Sequence, residues 1–150
     1  MNIIIRKIDK RWGDIPLKLR QWRLSRFFDH KGTVTLVLAD DGFVQGLNNT
    51  FRQKNTPTNV LSFPNAGPYA DPFVLGDVVL SYETILAESE QQNKPMINHC
   101  VHLVIHGIFH LLGYDHETDD DAAIMEAKER DALNLLGIPD PYFGSVCLNH

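Results

Sequence analysis

Two cysteines, Cys100 and Cys147, are all that 150 residues contain, so at most one disulfide can form and a disulfide-built scaffold is excluded. Cys100 falls in an apolar helical stretch and reads as an inert core thiol ahead of a metal ligand. No apolar run is long enough to span a bilayer, and the start MNIIIRKIDK lacks the h-region and small-residue cleavage site of a secretory signal. A cytoplasmic protein with no membrane partner is therefore expected. Basic residues are scarce beyond the first third: residues 55–150 hold three Lys or Arg against fourteen Asp or Glu, whereas residues 1–54 hold eleven against five. The net charge of −5 thus conceals a basic stretch that, as one continuous face, could steer a polyanion; ordinary solvated surface is the alternative. Neither repeats nor low-complexity tracts occur. A chain of this length, 43% hydrophobic and 22% charged, is expected to form one domain over 1–150 with its own core.

What the chain does have is His106-Gly107-Ile108-Phe109-His110-Leu111-Leu112-Gly113-Tyr114-Asp115-His116. A helix turns once in 3.6 residues, so His106 and His110 share a face and can offer two imidazoles to one ion. Gly113 suits the left-handed conformation that ends a helix, which lets the chain return His116 to the same point. Any one of these histidines alone could be a hydrogen-bonded core or surface residue; the combination points to a metal. Three nitrogen ligands leave one tetrahedral position open, the arrangement of catalytic zinc. Nickel, cobalt or iron would also accept the nitrogens. His102 lies one turn earlier and reads as a supporting or packing residue, His99 is a weaker candidate, and His30 and His150 carry no local signal. Metalloproteases with a His-Glu-x-x-His helix place a general base after the first histidine, where this chain has Gly107. A peptidase of that kind is a poor fit. Gly107 either leaves room beside the metal for a bulky substrate or lets the helix pack closely.

Around this block the pattern alternates between strands and helices. Asn2 to Ile8 and the β-branched Thr33 to Ala39 read as strands, and Leu17, Leu24 and Phe28 predict one helix across 17–28. A short helix containing Phe43, Val44 and Leu47 leads into a polar loop from Asn48 to Asn59, then an extended run Val60 to Pro64. A further strand is expected around Asp77 to Leu80, a helix capped by Ser81 to about Gln92, a buried helix from Met96 to Leu112, and a last helix capped by Thr118 and ended by Gly137. The expected class is α/β (α+β), a compact layered domain with a small mixed sheet.

A second polar constellation runs from Phe51 to Pro64. Arg52 offers a donor fork matched to a phosphodiester, Lys54 adds charge, and Asn48 and Ser62 are candidates to orient the arginine or bind substrate. Each would as readily face solvent in a turn, so their relevance depends on the fold bringing this loop to the histidines.

Read together, Leu47-Asn48, Phe51-Arg52 through Phe63-Pro64, Leu75 to Ser81, His106 to His116, and Met125-Glu126 with Glu129 closely resemble the YbeY family. The resemblance implies a zinc-dependent, single-strand-specific endoribonuclease that acts in ribosomal RNA maturation, including 16S rRNA 3′ end processing, and in ribosome quality control. It implies one zinc ion on His106, His110 and His116, a functional arginine at Arg52, ribosomal RNA as partner with ribosomal proteins or small-subunit assembly factors beside it, and neither DNA nor a membrane. Asn59 stands where many members have aspartate, a change expected to alter activity or its pH dependence if that carboxylate fixes the arginine or handles protons. In the hydrolysis so implied, zinc polarises phosphate or activates water while Arg52 stabilises phosphoryl charge. The proton acceptor stays open among Asp115, Asp77, His102, a metal-bound hydroxide and the RNA 2′-hydroxyl. Two other classes compete: a metalloprotease or amidohydrolase, and a ribosome assembly factor whose metal is structural.

Overall fold

A computed structural model describes residues 1–142; Cys147 and His150 lie outside the described residues. Four strands, β1 (Asn2–Lys7), β2 (Thr33–Ala39), β3 (Val60–Pro64) and β4 (Val74–Ser81), form one sheet in the order β1-β2-β4-β3. β1 and β4 run parallel to β2, and β3 runs antiparallel to β4, so the sheet is mixed as expected. β2 and β4 are its centre. Their Val34, Leu36, Leu38, Val78 and Leu80 are 0–1% exposed, and alternation sends all five to the face that carries the main core. The opposite face holds a smaller cluster of Ala39, Val44, Leu61 and Val79 under α2 (Asp41–Arg52).

The expected helix across 17–28 is broken. α1 covers Ile15–Gln21, and Arg23 turns the backbone left-handed at φ 51° before a 3-10 turn, Leu24–Phe27. The buried face also differs from the expected stripe: Leu17 is exposed, while Leu19, which lies off that stripe, is buried with Ile15, Leu24 and Phe28. α2 runs farther than expected, to Arg52, so Asn48 is helical rather than part of a loop. Asp40 starts this helix by accepting the Phe43 N–H at 2.8 Å. Ser81 does stand at the N-cap of α3 (Tyr82–Gln91), yet its hydroxyl donates to Asp41 instead of capping.

α4 (Met96–Leu111) lies across the main face of the sheet, and its Val101, Val104, Ile105 and Ile108 are fully buried. It can lie so close because of Gly107: a Cβ there would stand 2.6 Å from Val78 Cγ1 and 3.1 Å from Ser62 Oγ. The glycine thus faces the sheet, and helix packing, rather than space for substrate, explains it. Gly113 takes φ +97° just past the helix, with the Tyr114 N–H donating back to the Phe109 carbonyl at 3.1 Å. α5 (Asp119–Leu135) opens with Thr118 accepting the Asp121 N–H at 3.1 Å and packs on α4 through Met125 and Leu133. Among the described residues no helix is long and apolar enough to cross a membrane.

Candidate metal centre

α4 places His106 and His110 one turn apart with their Nε2 atoms 3.1 Å from each other. The reversal at Gly113 then brings in His116, whose ring centre lies 5.7 Å from that of His106 and 5.0 Å from that of His110. One ligand atom from each of the three fits within a 4.8 Å span. Two nitrogens held tetrahedrally at zinc's bond length stand about 3.3 Å apart, close to the His106–His110 separation, so the donor set fits one small cation. Burial, and then the neighbouring His106 and His116, push the His110 pKa down to about 4. Its ring is therefore neutral near pH 7, the form that ligates.

The far nitrogen of His106 is held by a residue to which the sequence assigned no role. Glu129 on α5 is fully buried, and its Oε1 accepts from His106 Nδ1. With that proton on Nδ1, a neutral ring presents its Nε2 lone pair to the other histidines. Glu129 Oε2 accepts from the Tyr142 hydroxyl and lies 3.6 Å from His102 Nε2. Burial, the largest single influence, raises this carboxyl, but the neighbouring His102 and the hydrogen bond from His106 outweigh it and hold the pKa at about 2. His102, His106 and Glu129 also come within 4.8 Å of one another. That second grouping is the more buried, Glu129 at 0% and His102 at 9% exposed, with its carboxylate already shared among three side chains, whereas the three histidines open on a cavity that Arg52 also lines. A clue was present: Glu129 falls on the buried stripe of α5 with Ala122, Met125, Ala132 and Leu133, and a carboxylate there requires a buried partner.

The cavity over the histidines has a volume of about 560 Å³ and is lined by Arg52, Thr58, Asn59, Ser62, Asp115 and Glu117 as well as the three rings. The fold thus joins the two constellations. Arg52, the last residue of α2, and Ser62, on β3, both line it; Lys54 does not. Asn48 is turned away: it is buried and its side-chain amide donates to the Thr56 carbonyl at 2.9 Å, closing the loop that follows α2. The Ser62 hydroxyl donates to the Gly107 carbonyl at 3.0 Å, fastening β3 to the histidine helix. Asn59 gives its amide N–H to Glu88 Oε1 at 3.0 Å, and Glu88 Oε1 lies 2.9 Å from His99 Nε2, a polar chain from the cavity wall inward that nothing in the spacing announced. Among the residues considered as proton acceptors, Asp115 lines the cavity and accepts the His116 N–H at 2.7 Å. Asp77 neighbours Val78, which faces α4, and so points to the other side of the sheet. His102 is 9% exposed and lines a different cavity, 3.3 Å from the Tyr142 hydroxyl.

Fold and site together define a mixed α/β domain whose three-histidine centre opens beside a guanidinium. The chain belongs to the YbeY family: the family model described as Endoribonuclease YbeY matches residues 11–137. Endoribonuclease YbeY of Methylocella silvestris is 50% identical over 109 residues, 73% of this chain and 62% of that protein. The protein of that name from Rhodopseudomonas palustris is 47% identical over 115 residues, 74% of this chain and 60% of its own length. In Paramagnetospirillum magneticum the identity is 51% over 115 residues, 73% of this chain and 70% of the relative. The chain therefore spans about three fifths of the length of the first two. The solution structure of TM1509 from Thermotoga maritima shares the fold, with a TM-score of 0.52 at 21% identity over 99% of each chain.

Proposed function

We propose that the chain is, over 1–150, a single zinc-dependent endoribonuclease domain that hydrolyses phosphodiester bonds in single-stranded RNA. The observation that carries this reading is the convergence of Arg52 with His106, His110 and His116 on one cavity, joined to membership of a family described by that activity. His106, His110 and His116 would hold the ion. A bound zinc supplies Lewis acidity at a phosphoryl oxygen. Arg52 contributes a two-donor fork for the phosphate oxygens, which bear the growing charge. Ser62 and Glu129 position: the first fastens β3 to α4, the second fixes the His106 ring. Asp115, which lines the cavity beside Glu117, is the candidate proton acceptor of this reading. An unpaired strand, free to splay its bases, fits an open cleft more readily than a regular duplex.

Ribosomal RNA in the cytoplasm, including the 16S 3′ end, is the substrate this reading favours, with small-subunit proteins or assembly factors near it. The test compares cleavage of single-stranded and duplex ribosomal RNA fragments by the zinc-loaded protein and R52A, with a peptide panel in parallel. The single-stranded fragment should be cut, the duplex and peptides left intact, and R52A should lose about 100-fold in kcat or more at an unchanged denaturation midpoint. Peptide cleavage with RNA intact would establish the amidohydrolase class instead. No cleavage of either RNA or peptide by the folded, zinc-loaded wild type would favour a binding factor, and undiminished RNA cleavage by R52A would remove Arg52 from the chemistry.

A further inference from the structure

The basic first third of the chain is only partly used by this site. Arg52 belongs to it; Arg20, Arg23 and Arg26 do not. All three are exposed, and the left-handed turn at Arg23 sets them along one wall of a separate cavity of about 330 Å³. Its floor is aliphatic, formed by Ile3 and Ile5 of β1 and Leu36 of β2, and no carboxylate among the described residues lines it. Among the described residues, none of the three guanidinium groups forms an ion pair or a hydrogen bond. By contrast, Arg11 is paired with Asp9 and Glu83, and Lys18 with Asp14. Arg26 is partly oriented already, its guanidinium carbon 4.9 Å from the centre of the Phe27 ring.

Three unpaired guanidinium groups on one wall set up a local positive field on a molecule whose net charge is −5, and their planar forks match phosphate oxygens. Like-charged groups clustered without counterions gain most from a ligand that brings several negative charges in register. The aliphatic floor suits the flat face of an unpaired base better than a second polar surface would. Ile3, Ile5 and Leu36 face the same side of the sheet as the histidine helix. β1 and β3 are the two edges of that sheet, three strand spacings or about 14 Å apart. The cavity, against β1, and the cleavage centre, against β3, therefore lie at opposite edges of the sheet, so a strand must be long enough to pass around the domain to occupy both.

We propose that Arg20, Arg23 and Arg26 form an anchoring site for the phosphate backbone of single-stranded RNA, gripping the substrate away from the bond to be cut. This rests on the nuclease reading for its choice of polyanion. It makes the enzyme sensitive to substrate length.

The experiment is a binding titration of a long labelled single-stranded RNA at several salt concentrations, RNA integrity checked on gels, with zinc-loaded wild type, the triple variant R20Q/R23Q/R26Q and the charge-keeping R20K/R23K/R26K. Loss of three phosphate contacts should make the slope of log affinity against log salt shallower by about 2 in the Gln variant, about 0.7 per contact, and the Lys variant should keep most of it. Cleavage of the long RNA should show a KM raised at least tenfold at low salt, whereas kcat and the turnover of a trinucleotide that fills only the histidine cavity should stay as in wild type. If the triple Gln variant unfolds, R20Q and R26Q singly should each lower the slope by about 0.7. An unchanged slope overturns the proposal, as does wild-type RNA binding combined with lost binding of an acidic peptide. A shallower slope in a protein that cuts no RNA upholds the anchoring site and defeats the nuclease reading alone.

Discussion

At the scale of single residues, a buried and a half-buried carboxylate do different work. Glu129 accepts from His106 and Tyr142 and keeps the His106 ring pointed at its neighbours. Replacement by Leu should lower zinc affinity about 10- to 100-fold, read by competition with a chelating dye, while E129Q, which can still accept from His106, should fall between. Equal affinity in all three would deny it a positioning role. Glu88 is held by His99 and by Asn59 at the cavity wall. Burial raises its carboxyl most among the single influences, but those hydrogen bonds, with the charges of His99 and Lys94, bring it below its ordinary value. A carboxyl lowered on folding stabilises the protein above its unfolded pKa, and that contribution is lost as pH falls through the lowered value. Denaturant titrations from pH 7 down past about pH 4 should show E88Q less stable than wild type at neutrality and the two converging in acid. A constant gap across the range would contradict this. Asn59, whose difference from aspartate suggested altered activity, is satisfied as an amide, since it donates to a carboxylate that a second carboxylate would repel.

At the scale of elements, α4 is where position and chemistry meet. Its contact with β4 and β3 passes through Gly107, and G107A would force a methyl against Val78 Cγ1. Alanine gains about 1 kcal/mol of helix propensity, but overpacking costs about 1–3 kcal/mol, so we expect net destabilisation together with displaced histidines and weaker zinc binding. A urea midpoint at or above wild type would show that the helix does not rest on the sheet as described. The ends of α4 and α5 were legible because glycine and threonine act there through their own backbone and hydroxyl. The helix over 17–28 was not, since a stripe of Leu17, Leu24 and Phe28 ignores the reversal at Arg23. The true course of α2 was hidden for a similar reason. Asn48 and Asn49 look like turn residues, and only the tertiary bond from Asn48 to Thr56 makes the first of them welcome in a helix.

At the scale of the whole molecule, three imidazoles and one arginine, separated by more than fifty residues, meet because a mixed sheet sets α2 and β3 beside α4. The spacing of the histidines could be read from the sequence, since one helix and one turn place them. The arrival of Arg52 and Ser62 could not, because it depends on β3 pairing with β4 and on α2 extending to Arg52. Glu129 reaches His106 from another helix, and only its place on a buried stripe hinted at it. In the proposed function the three-histidine centre holds the metal and that same centre cuts RNA. The most direct measurement is zinc bound per chain, determined alongside cleavage of a single-stranded ribosomal RNA fragment, in folded wild type and folded H110A. Wild type should carry about one zinc, H110A should lose both zinc and cleavage, and chelation should abolish cleavage until zinc is restored. Wild-type cleavage by an H110A protein that carries no zinc would contradict this function.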